Sequence, residues 1–179
     1  GNKLRVLATT VDQENEENIE LVPERARAGY TEGYADPEYI SELPTFQLPF
    51  LSKDKKYRTF QIKGESMLPI PEGAWVTGEF VQDWEQVKTN GAYIILTLDD
   101  GIVFKIVENY LKGYKMLKLH SLNPEYAPYE LPANQIKEVW KFVNYISQEL
   151  PEPIVKKDDL LQTVAAMRKD IQQLKKQSR

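Results

Sequence analysis

The chain has 179 residues, 41% hydrophobic and 11% aromatic, enough for one domain with a sizeable core plus appendages. Its 23 basic and 27 acidic residues give a formal charge of −4, where a DNA-binding surface is normally basic. The chain lacks cysteine, so it has no disulfides or thiolate metal sites, and its single histidine and scattered carboxylates give no reason to expect a metal or other cofactor.

Residues 4–11 have strand composition, an Asp/Glu/Asn run follows at 12–18, and residues 19–22 suit a second strand. The pair reads either as a hairpin on the domain body or as a solvated linker, so residues 1–25 form an N-terminal segment of their own. Residues 26–50 interleave Tyr30, Tyr34, Tyr39, Phe46 and Phe50 with Gly29, Gly33, Pro37, Pro44 and Pro49. That pattern predicts a long extended loop docked through its rings.

Short strands are predicted from residue 57 onward. Residues 57–62 alternate, 74–81 suit a strand with a bend, and 93–98 look buried on both faces. Asp99-Asp100-Gly101 makes a hairpin turn into the apolar strand 102–107, and residues 115–119 and 136–143 complete the set. The fold class is therefore mostly β, an antiparallel domain. After Pro151-Glu152-Pro153 the pattern becomes helical, with Leu160, Val164, Met167, Ile171 and Leu174 at spacings of four and three. Such a seam pairs with a second copy, lies on the β domain, or frays; alone it is too short to be stable. The boundaries drawn are 1–25, 26–148 and 149–179. No apolar run approaches the ~20 residues of a membrane span, and a cytoplasmic location fits the lack of cysteine.

Two residues invite a chemical reading. Ser66 stands in a tight turn, Gly64-Glu65-Ser66-Met67-Leu68-Pro69, and Lys105 stands in the strand Ile102-Val103-Phe104-Lys105-Ile106-Val107. A serine attacks a carbonyl only if a base takes its proton, and His120 lies in an ordinary run. A neutral lysine can serve, but bringing its pKa from ~10.4 to ~7 costs roughly 4.6 kcal/mol. Alternation places Lys105 on one face with Val103 and Val107, which supplies an apolar setting. The plainer alternatives are a lysine snorkelling at a strand edge and a serine that only caps or turns the chain.

The serine motif, followed by Gly73, Val87, Gly91-Ala92-Tyr93, the lysine strand and Leu119-X-Ser121-X-Asn123-Pro124-X-Tyr126, resembles the LexA-like self-cleaving repressors. These include phage repressors and the UmuD mutagenesis protein. Ala28-Gly29 lies 38 residues before Ser66, and Lys105 lies 39 after it, an order and spacing similar to the family's.

The resemblance implies a β domain of the LexA/signal-peptidase type, in which Ser66 is the nucleophile and Lys105 its general base. It implies an oxyanion hole from the backbone N–H groups of Glu65 and Ser66, and a scissile bond between Ala28 and Gly29. Some members carry a hydroxyl residue two before the lysine, where this chain has Val103. The resemblance further implies a homodimer and a role in transcription regulation and the SOS response. DNA binding would come through an N-terminal helix-turn-helix domain, for which residues 1–25 are too short and acidic and which would precede this chain. A RecA filament is the family's frequent trigger. The alternative is a non-cleaving dimerisation module with the same fold.

Overall fold

Short apolar alternations separated by turn residues fold into a nine-stranded sheet in the computed structural model, which describes residues 5–11 and 18–178. The chain divides into two units, residues 1–149 and 150–179. In the first unit the strands are β1 (Ile19–Val22), β2 (Thr45–Phe46), β3 (Tyr57–Gln61), β4 (Trp75–Phe80), β5 (Gly91–Thr97), β6 (Gly101–Tyr110), β7 (Met116–His120), β8 (Tyr129–Pro132) and β9 (Ile136–Ile146). Their spatial order is β2-β1-β3-β4-β9-β5-β6-β7-β8. Every pairing is antiparallel except β1 with β3, so the sheet is mixed but mostly antiparallel, in line with the expected class.

Side-chain alternation divides the core in two. Ile94, Leu96, Ile102, Phe104 and Trp140 join one apolar cluster, whereas Tyr93, Ile95, Val107 and Val139 join another. Successive residues of a strand point to opposite faces, so one hairpin feeds both clusters. The turn from β5 to β6 closes with Gly101 at φ 67°, a left-handed conformation that glycine adopts without strain. Thr97 Oγ1 donates to the Gly101 carbonyl at 2.9 Å and accepts from Asp100 N–H at 3.0 Å. The bend expected in β4 is a register shift between Thr77 and Gly78 against β9. Gly78 is required there, because a Cβ would stand 2.5 Å from the Cβ of Trp140.

Of the N-terminal segment, read as either a hairpin or a linker, residues 5–10 form no strand, while Val11 makes a single bridge and Asn18 N–H donates to the Thr10 carbonyl at 3.0 Å; Leu4 and residues 12–17 lie outside the described residues. β1 pairs with β2 and β3, and Glu20 reaches back to accept from Thr10 N–H at 2.9 Å. One expectation is corrected: the segment 26–50 is not an extended loop. A 3-10 turn at Glu24–Ala26 leads into α1 (Arg27–Gly33) and α2 (Pro37–Ser41).

The reason is that Tyr30 and Ile40 are fully buried, and short helices let both point inward. The residues read as loop punctuation have other uses. Pro37 opens α2 behind an Asp36 cap that accepts from Glu38 N–H at 3.0 Å. Gly33 makes room for Tyr39, since a Cβ there would meet its ring at 2.6 Å. A single turn, α3 (Leu111–Tyr114), links β6 to β7.

In the second unit, α4 (Lys157–Gln177) has no buried residue. Its seam of Leu160, Val164, Met167, Ile171 and Leu174 is 53–64% exposed. Among the described residues no helix is long and apolar enough to cross a membrane.

Candidate active site

The chain leaving β3 turns sharply before returning as β4, and Gly64 permits this with φ 81°. The turn is closed by Leu68 N–H to the Glu65 carbonyl at 3.2 Å and Ile70 N–H to the Met67 carbonyl at 2.8 Å. Met67 drives into the core at 3% exposure, which leaves its neighbour Ser66 half-buried and facing the surface. Among the described residues the N–H groups of Glu65 and Ser66 donate to no protein acceptor. They are free to stabilise an oxyanion.

Lys105 lies on β6 opposite Tyr93 of β5, buried at 8% exposure. Its Nζ donates to Ser121 Oγ at 2.8 Å, just beyond the end of β7. The rings of Tyr126 and Tyr129 stand 5.8 and 5.9 Å from the nitrogen. Ring faces favour the ammonium, yet burial prevails and lowers the lysine's pKa. No carboxylate pairs with it among the described residues. A strand lysine held by a hydroxyl and desolvated is suited to accept a proton, not to anchor a salt bridge.

Ser66 and Lys105 line one cavity of about 100 Å³, together with Gly64, Met67, Phe104 and Arg27. β7 pairs with β6 only from Ile106 onward, so residues 102–105 have no strand partner on that side. This open edge forms one wall of the cavity. The second wall is the serine turn.

Ala28 and Gly29 are exposed on α1, with their peptide bond inside the helix. The residues on either side are anchored. Arg27 donates from Nη1 to the Gln61 carbonyl at 2.9 Å and from Nη2 to the Ile102 carbonyl, tying the end of β3 to the start of β6. Tyr30 plunges into the core, where its hydroxyl donates to Glu138 Oε2 and accepts from Arg58 Nη1 at 3.0 Å. Arg58 also donates to Glu20 at 3.1 Å and to the Ala8 carbonyl at 2.6 Å, and Trp140 Nε1 donates to Glu138 at 2.9 Å.

Burial raises the pKa values of Tyr30 and Glu138, with Arg58 opposing both shifts. Burial alone would lower the pKa of Arg58, but Tyr30, Glu20 and Glu138 raise it. The Tyr30 hydroxyl therefore keeps its proton and stays a donor.

Ser66 and Lys105 thus line one cavity; Glu65, next to Ser66 in the turn, is exposed and is not among the residues that line it. The structure places Ala28-Gly29 next to the cavity but not in it. His120 pairs with Glu108 at 2.8 Å and takes no part in the cavity.

Two residues had no role assigned from sequence. Ser121 supplies a hydroxyl that Val103 does not. Asn123 donates from Nδ2 to the Glu65 carbonyl at 3.1 Å and from its backbone N–H to the Ser66 carbonyl at 3.0 Å. Both stand in the Leu119–Tyr126 motif, whose polar side chains just after a strand were the available signal. Among the described residues no group of three metal-ligating side chains gathers anywhere.

The profile of Peptidase S24-like proteins matches residues 20–143, a span that includes every residue of this site. No curated protein matches the chain.

Proposed function

Because the chain belongs to the Peptidase S24-like family, whose fold is that of a serine peptidase, we propose that it is the self-cleaving and dimerising domain of a transcriptional repressor. Ser66 and Lys105 cut the Ala28–Gly29 bond of the same chain. The observation that carries this reading is the shared cavity: a serine on a sharp turn and a desolvated lysine line it together with Arg27, the residue just before the Ala28–Gly29 bond.

The chemistry follows from the groups present. Neutral Lys105 takes the proton of Ser66 Oγ as that oxygen bonds to the Ala28 carbonyl carbon. The Glu65 and Ser66 N–H groups hold the resulting oxyanion. The C–N bond to Gly29 then breaks, and the Lys105 ammonium gives its proton to the departing amine. Lys105, neutral again, activates water to hydrolyse the acyl-serine. Ser121 fixes the amine's direction throughout.

The helical form of 27–33 is the resting form, since a peptide bond inside a helix cannot lie along the open edge of β6. A trigger, for which a RecA filament is the candidate, would act by favouring the unwound form. The exposed 4-3-4-3 seam of α4 suits pairing with a second copy, and DNA would be bound through a helix-turn-helix domain preceding this chain. The test is direct. Mild alkaline incubation followed by mass spectrometry should give products split after Ala28, and Ser66→Ala should give none. Cleavage that persists in the serine variant, or that falls elsewhere, defeats the assignment. An intact wild-type chain under all conditions favours the non-cleaving dimerisation module, the reading supported by the helical lock on Ala28-Gly29.

A further inference from the structure

We propose that Asn123 is a positioning residue for the oxyanion hole, acting through the two peptide planes that flank Ser66. The proposal rests on Ser66 being the nucleophile. A trans peptide unit is rigid, with its C=O and N–H pointing in opposite directions. The Glu65 carbonyl and the Ser66 N–H belong to one such unit. The Asn123 Nδ2 bond to that carbonyl, at 3.1 Å, therefore sets where the Ser66 N–H points. The Ser66 carbonyl belongs to the next unit, and Asn123 holds it too, through its own backbone N–H at 3.0 Å. With both flanking planes fixed, the Cα of Ser66 and the direction of its side chain are fixed as well.

Asn123 is itself held. It is 9% exposed, and its Oδ1 accepts from Glu125 N–H at 3.1 Å, which sets the orientation of the amide. The donor and acceptor ends are therefore both in use, and the group has no other orientation that satisfies both. There is also an electronic effect. A carbonyl that accepts a hydrogen bond polarises its peptide unit, so the N–H at the other end becomes a better donor. Asn123 thus aims and strengthens the N–H that meets the developing charge, without touching the substrate. It lies 58 residues from Glu65 along the chain, so the serine turn depends on a loop beyond β7 for its shape. The same loop begins with Ser121, which holds Lys105. One short segment thereby positions both members of the dyad.

The experiment measures self-cleavage rates of the full chain from pH 7 to 11 for wild type, Asn123→Ala and Asn123→Asp, with thermal melts alongside. Loss of a direct oxyanion donor slows enzymes by roughly 100- to 1,000-fold. An indirect role predicts a smaller fall, on the order of 10- to 100-fold, with the pH midpoint of Lys105 unmoved. Asn123→Asp keeps the size and the Oδ1 acceptor, but at alkaline pH it has no donor and sets a carboxylate against the Glu65 carbonyl. It should be at least as slow as Asn123→Ala and melt below wild type; both rates are read well below each variant's own Tm, so a loss of folding is not counted as a loss of rate.

Rates equal to wild type in Asn123→Asp would overturn the proposal. So would a slowed variant whose midpoint has moved, because that would place the effect on Lys105. A wild type that cuts beside a full-rate Asn123→Asp overturns this inference alone. A wild type that never cuts overturns the nucleophile assignment with it.

Discussion

Tyr30 gives the sharpest test of how the cleavage segment is held. Its side chain is fully buried, and its hydroxyl bonds two groups, Glu138 and Arg58, that have few other partners. Tyr30→Phe keeps the ring and its edge-on packing against Phe60, with centroids 5.5 Å apart, and removes only the hydroxyl. Hydrogen bonds to charged groups contribute about 1.5–3 kcal/mol each. Two such bonds are lost while Glu138 keeps Trp140 and Arg58 keeps Glu20, so a net cost of about 3 kcal/mol is expected. For a domain of this size that lowers Tm by roughly 6–12 °C.

Tyr30 follows Gly29 directly, and α1 must unwind for the Ala28–Gly29 bond to reach Ser66. If Tyr30 leaves its socket in that step, the same 3 kcal/mol raises the open population by about 150-fold at most. Self-cleavage should then quicken by 10- to 100-fold in a protein that is less stable. Melting by circular dichroism and cleavage rates by mass spectrometry read the two effects separately. A lower Tm with an unchanged or slower rate would show that Tyr30 stays seated during cleavage, and would refute the account of α1 as a lock.

Other outcomes follow from single contacts. The lowered pKa of Lys105 means that the unfolded chain binds more protons than the folded one between that pKa and ~10.4, so the lysine's contribution to stability grows with pH across that window and is lost below it. Lys105→Met should therefore stabilise the protein at pH 7 by urea titration, with the gain shrinking towards pH 10.4; a constant gain would contradict the burial argument. Ser121→Ala removes the acceptor at 2.8 Å from the amine, which disfavours the ammonium. The cleavage rate should fall about tenfold and its pH midpoint should move down, whereas an upward shift would exclude this role. Gly78→Ala forces a Cβ to within 2.5 Å of Trp140 and should cost about 1–3 kcal/mol in chemical denaturation; an unperturbed midpoint would mean that β9 yields there.

The strands were legible because their signals are local. Alternation in 102–107 correctly put Lys105, Val103 and Val107 on one face, and the Asp99-Asp100-Gly101 turn fixed the hairpin. What misled was the segment 24–41. Its glycines and prolines look like loop residues until Tyr39 and the Asp36 cap are seen to need them there. The pull on that segment comes from Arg58 and Glu138, 28 and 108 residues from Tyr30, and no window of sequence contains that information. Ser121 and Asn123 were hidden for the same reason. Each acts across a strand boundary on a residue far away in the chain, and only the register of β7 against β6 brings them to the site.

The parallel pairing of β1 with β3 bears on what a cut after Ala28 would achieve. Residues 18–28 would no longer be joined to the rest, yet β1 would still lie between β2 and β3, with Glu20 paired to Arg58 inside the protein. Arg27 would still grip Gln61 and Ile102. Severing the bond interrupts α1 but leaves these contacts in place; what it removes is the tether that returns a detached strand to its slot. Before the cut, re-insertion is intramolecular and insensitive to concentration. Afterwards it competes with dilution. The two pieces part only as fast as a four-residue strand and one buried ion pair let go, so scission and release are separate events with separate clocks.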